Sequence, residues 1–259
     1  MVIKMRLKIV NYRGQVTIFI ILGLMLVVGF LIVFLLVNPP EVHVVDENNP
    51  EAFIESCTRE SVEEAIDILS KNGGDISPKG FIQFQGNDLT YLCFSYHHYY
   101  PCINQRPRLV KHMEDEITNY IAPKIEECFD DLESRLNERY DIETSGTNII
   151  TTLQSEQVTV VIDKKFKMSR EEDSRDITQF RMNLVHPIYN FAIIAMEIVN
   201  QEAHFCNFDE LGHMILNPQF DIIKFVTGDS DVVYRLKDYE TNQEFRFAVR
   251  SCTFPAGYV

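Results

Sequence analysis

The sequence holds none of the short motifs that mark the commoner enzyme chemistries. It has no H-E-x-x-H metal pair, no G-x-S-x-G nucleophile turn and no phosphate-binding P-loop. No D-x-D-x-D-G calcium loop occurs, and no C-x-x-C pair, so thiol–disulfide exchange chemistry is not indicated. There is no N-x-S/T sequon, no fixed-period repeat, no low-complexity tract and no tryptophan. Basic charge is also scarce. Four of the 24 basic residues (Lys4, Arg6, Lys8 and Arg13) fall in the first fourteen positions, which contain no acid. The rest of the chain has 20 basic against 38 acidic residues, a net of −18. Such a surface repels phosphates, which argues against nucleic acid as a partner.

What is present suffices for a folded domain. Hydrophobic residues make up 46% of the 259 positions and aromatics 11%, so the chain is able to bury a core. Val16–Val37 carries no charge and one hydroxyl. That length matches the roughly 20 apolar residues that cross a ~30 Å hydrocarbon layer, so a transmembrane helix is expected there. Asn38-Pro39-Pro40 would stop it. Bases precede the span, while Glu41, Asp46, Glu47 and Glu51 follow it. The positive-inside rule then puts the N terminus in the cytoplasm and the bulk outside the cell, as a single-pass membrane protein. The layout read from this is a basic leader at 1–15, the span at 16–37, a linker at 38–50 and an extracellular domain at 51–259, with a sub-boundary near 138. Gly23 and Gly29 are six apart, which is not the G-x-x-x-G spacing of helix dimers.

The outer domain is expected to be α+β, with about three long helices and a mainly antiparallel sheet, because helical and strand patterns are grouped and not alternating. Helical stripes run over Glu51–Lys71, closed by Asn72-Gly73-Gly74, over Pro107–Asn137 with a kink or restart at Pro123, and over Ile177–His204. Strands are expected within Phe81–Tyr100, at Asn148–Leu153 and Val158–Phe166 around a hairpin, and at Phe220–Val226, Val232–Lys237 and Phe245–Ser251. Ser169–Asp176 reads as a charged loop.

All six cysteines follow the apolar span, and an even count outside the cell favours disulfides. Cys57–Cys128 would staple two helical stripes, Cys93–Cys102 would close a short loop, and Cys206–Cys252 remain by elimination. Buried free thiols are the alternative. Cys93, His97, His98 and Cys102 contain the right atoms for a tetrahedral zinc site. On a strand, however, the two histidines would point to opposite faces, so no metal is assigned. No cofactor is expected, and no catalytic residue stands out among 38 acids.

Arg13-Gly14-Gln15-Val16-Thr17-Ile18-Phe19-Ile20, then Phe53-Ile54-Glu55-Ser56-Cys57 with Gly73-Gly74, Tyr120 to Cys128 and Phe245–Arg250 resemble a group of uncharacterised archaeal membrane-anchored surface proteins with a type IV pilin-like N-terminal segment. The resemblance implies a processing site between Gly14 and Gln15, although Phe19 stands where pilins usually carry glutamate. It supplies no catalytic residues. The function expected is a membrane-anchored surface protein with structural or interaction duties, whose partners are the lipid membrane and copies of itself or another surface protein. The alternatives are an extracellular ligand-binding or sensing module, with the aromatic stretch Phe81–Tyr100 lining a groove, and a membrane-tethered enzyme.

Overall fold

The computed structural model describes residues 19–30, 49–97, 99–171, 173–227 and 231–252. The chain divides into two compact units, Met1–Val44 and Val45–Val259. In the first, residues 19–30 are helical (α1), and all twelve are exposed. The transmembrane helix expected at Val16–Val37 is not upheld. No helix among the described residues is both long and apolar enough to cross a membrane. Residues 16–18 and 31–37 of that span, the leader with Gly14 and Gln15, and residues 38–48 of the linker lie outside the described residues.

The second unit is α+β. Helix α2 (Pro50–Asn72) starts where the Asn49 side chain accepts the Ala52 N–H at 3.2 Å, with Pro50 supplying a first position that needs no donor. Its buried stripe runs through Phe53, Ile54, Val62, Ala65, Ile66 and Leu69. A hairpin of β1 (Phe81–Phe84) and β2 (Asn87–Phe94) follows, then the short β3 (Ile103–Asn104) and the long α3 (Leu109–Leu136). Pro123 does not break α3. It is exposed, as is Asn119 four residues earlier, whose carbonyl the proline cannot bond, so water is able to reach that carbonyl.

Strands β4 (Asp141–Gln154), β5 (Gln157–Arg170) and β6 (Asp173–Val185) form an antiparallel meander. Two expectations are corrected in this region. The charged stretch 169–176 belongs largely to the ends of β5 and β6, and residues 177–185 are strand, with only Ile188–Phe205 helical (α4). Ile177 and Phe180 are three apart, and both are buried. A register shift between Asp163 and Phe166 of the facing strand lets both reach the core from a sheet. Pro187 caps α4 and does not sit inside it.

After the short α5 (Glu210–Leu216), strands β7 (Phe220–Val226), β8 (Val232–Asp238) and β9 (Glu244–Arg250) complete a six-stranded sheet of order β1-β2-β9-β8-β7, with β3 also paired to β2. Every pairing is antiparallel except β2 with β9. One main core joins α2, α3 and α4 to both sheets, including Phe129, Phe166 and Phe180 on one side and Phe191, Phe245 and Phe247 on the other.

Candidate functional site

The end of α2 sets the site. Gly73 takes the left-handed conformation (φ 76°) and returns its N–H to Leu69, and Gly74 follows at φ 93°. A Cβ on Gly73 would lie 3.2 Å from the Thr90 nitrogen and 3.3 Å from the Arg246 oxygen, and one on Gly74 would lie 3.1 Å from Leu109. The two glycines therefore let the helix end tight against β2, β9 and α3. The next residue, Asp75, drops into the interior and is 3% exposed.

Three elements supply donors to that carboxylate. Thr90 on β2 donates its hydroxyl at 2.9 Å, Arg106 donates Nη2 at 2.9 Å and Nε at 3.3 Å, and His112 on α3 brings its Nε2 to Oδ1. Burial pushes the Asp75 carboxyl up, but the hydrogen bonds from His112, Arg106 and Thr90 outweigh it and hold Asp75 below the usual carboxylate range. Arg106 is itself fixed. Its backbone N–H bonds the Asn104 side chain at 2.8 Å, and Gln105 bonds the Leu92 carbonyl at 2.8 Å. The Cys93–Cys102 bridge ties this loop to the end of β2.

The other side of Arg106 faces a groove of about 610 Å³, which Lys79, Tyr91, Phe94, Tyr96 and Arg250 also line. The rings form a chain of edge contacts, Tyr91 to Phe94 at 5.0 Å and Phe94 to Tyr96 at 4.9 Å between centroids. The Arg250 guanidinium lies 5.6 Å from the Phe94 ring centroid. Tyr96 is 85% exposed. Three cations beside an aromatic shelf make this groove a local exception on a chain of net charge −14. Buried Asp75 holds Arg106 in one orientation, so little side-chain freedom is lost when a ligand meets it.

Among the described residues, Asp75, His112 and Glu116 bring ligand-type atoms within 4.8 Å of one another. Those atoms are already engaged. Both Asp75 oxygens accept hydrogen bonds, and Glu116 accepts the Ile76 N–H at 2.8 Å. The cluster is satisfied as a hydrogen-bonded network without a cation.

The three disulfides join Cys57 to Cys128, Cys93 to Cys102 and Cys206 to Cys252, the pairs expected from the sequence. Bridging leaves Cys93 and Cys102 no thiolate for a metal. His97 lies beyond the end of β2, beside the Tyr100 ring at 5.8 Å, and His98 is outside the described residues. The aromatic stretch does line a groove. Sequence reasoning missed Asp75, Arg106, His112 and Arg250. The available signals were an acid directly after a Gly-Gly helix stop, and His112 with Glu116 four apart on one helix face. Comparison of the chain with protein-family models, with curated proteins and with solved structures finds no match.

Proposed function

We propose that this chain is an extracellular binding module whose groove takes an acidic ligand with a flat apolar face, the chemistry of an acidic sugar. The carrying observation is the placement of Lys79, Arg106 and Arg250 around the shelf of Tyr91, Phe94 and Tyr96. Aromatic faces stack on the apolar side of a sugar ring, and guanidinium groups pair with carboxylates. Three disulfides support an oxidising compartment. Titrating the full chain with uronic-acid oligomers and with neutral oligomers of equal length tests this. Binding is expected for the acidic series only, weakening as salt rises, with Arg106→Gln and Tyr96→Ala each losing at least about tenfold. Equal affinity for the neutral series would remove the proposal.

A second reading, self-association at a membrane surface, is favoured by α1, whose Phe19, Met25, Leu26 and Phe30 are each at least 70% exposed. Water does not favour such a surface, whereas lipid or copies of the same segment cover it. Sedimentation of the native protein in detergent, with the mass of its N terminus, tests this. A monomer that starts at Met1 counts against assembly after processing at Gly14.

A further inference from the structure

A second cleft, of about 490 Å³, lies between the C-terminal half of α2, the end of β6 and the turn from β8 to β9. Its chemistry differs from that of the groove, because both signs of charge line it and no Phe or Tyr ring does. On the α2 side, Glu63 and Asp67 stand one helical turn apart. Lys71 pairs with Asp67 at 2.6 Å, while Glu63 has no hydrogen bond or ion pair among the described residues. The negative end of the α2 dipole lies a turn beyond and adds to the attraction for a cation. At the base of this wall, Ser70 is 7% exposed, and its hydroxyl has no partner among the described residues.

The opposite wall suits an anion. Arg246 on β9 is held by Glu244 at 2.7 Å and by Gln85 at 3.3 Å, and it faces the cleft. Gln243 and Asn242 add side-chain amides from the turn. His186 reinforces this wall. Its Nδ1 accepts the Ile188 N–H at 3.1 Å, which places the ring proton on Nε2. Burial lowers its pKa to about 4, against a smaller opposing effect of the neighbouring Gln243 side chain, so the ring is neutral near pH 7.

We infer that this cleft binds a small zwitterion of amino-acid size. Its ammonium sits against Glu63 and Asp67 on α2, and its carboxylate meets Arg246 and the amides of the β8–β9 turn. A simple cation would gain nothing from the Arg246 guanidinium and the turn amides, and a simple anion would face Glu63 and Asp67 on α2 and Glu244 beside Arg246.

The test uses the full chain carrying Arg106→Gln, so that the aromatic groove is disabled and the two sites are read separately. Each proteinogenic L-amino acid is titrated singly, followed by calorimetry and amide NMR shifts. At least one is expected to bind saturably, with shifts confined to α2, residues 184–186 and residues 242–246. Capping the amine of that amino acid with acetyl, or its carboxylate as the amide, should each weaken binding at least tenfold, and glycerol should not compete. Glu63→Gln replaces an exposed side chain by an isostere. It should lose binding about tenfold with an unchanged melting temperature, and Arg246→Gln should lose at least as much. Saturable binding by none of the amino acids overturns the inference, as does equal binding of either capped form.

Discussion

Asp75 and Glu202 are both carboxylates closed off from water, at 3% and 1% exposure, yet their surroundings differ in kind. Asp75 collects its donors from a loop and two elements that lead outward, and Arg106 reaches from it into the groove. Glu202, on α4, takes the Tyr234 hydroxyl and lies 3.5 Å from the Lys224 ammonium, which also bonds Asn207 at 3.0 Å. The hydroxyl of Ser251 reaches the Glu202 carbonyl at 3.0 Å, beside the Cys206–Cys252 bridge. Burial, and then the charge of Glu202, push the Tyr234 hydroxyl far above its ordinary range, so it remains a donor at every pH the fold survives. One buried carboxylate positions a binding group, and the other fastens a helix to a sheet. Burial alone does not separate the two roles. What separates them is whether a partner of the carboxylate lines a groove, as Arg106 does.

The sharpest way to break this contrast is to remove each carboxylate in turn. Glu202→Ala should lower stability by about 3 kcal/mol in urea unfolding, because the Tyr234 hydroxyl loses its acceptor in the interior and Lys224 loses its paired charge. Ligand affinity in the groove should stay unchanged. Asp75→Asn should cost less, about 2 kcal/mol, because Arg106 is half-buried and is able to turn to water. It should nonetheless weaken the groove for acidic ligands at least about tenfold by releasing the Arg106 side chain. If Asp75→Asn leaves that affinity intact, the positioning role is lost.

His186 is a half-buried titratable group, and no carboxylate hydrogen-bonds its ring among the described residues. Its folded pKa of about 4 lies below the ordinary 6.5. The unfolded chain therefore binds the proton first. Stability is full above pH 6.5 and falls as pH drops toward 4, by on the order of 2 kcal/mol after allowance for partial exposure. His186→Gln should flatten that part of the pH–stability curve. Asp75, whose carboxyl is held low, should contribute a loss only at more acidic pH, as pH falls through its folded value. The smallest effect is expected from Tyr234→Phe. Glu202 keeps Lys224, and the loss should be about 1.5 kcal/mol with no change in groove binding.

Much of the helical architecture was legible because buried stripes in α2 and α3 repeat at helical spacing over 23 and 28 residues, bounded by glycine or by a change of pattern. Cys57 and Cys128 sit on those stripes, so their pairing followed from the same reading. Strand β6 was misread as the start of the α4 helix, and the register shift that lets Ile177 and Phe180 both face the core lies in the pairing with β5, where no local pattern displays it. The membrane span was read from apolarity alone, and no helix among the described residues is both long and apolar enough to cross a membrane. The groove was half legible. Its aromatic residues are close in sequence, whereas Arg250 joins them only through the parallel pairing of β2 with β9. Asp75, Arg106 and His112 meet across 31 and 37 residues through a loop and a helix start, and no local period encodes that meeting.

The three bridges also divide the chain mechanically. They span separations of 71, 9 and 46 residues, and none of them encloses residues 129–205. Under tension between the two ends, the crosslinked parts stay gathered, and the slack must come from the β4–β6 meander and α4. A single protease cut in that stretch would leave two fragments with no covalent link, held by the packing of Phe129 on Phe166 and Phe180 and by the rest of the shared core. A cut between Cys57 and Cys128 or between Cys206 and Cys252 would leave the polypeptide joined until it is reduced.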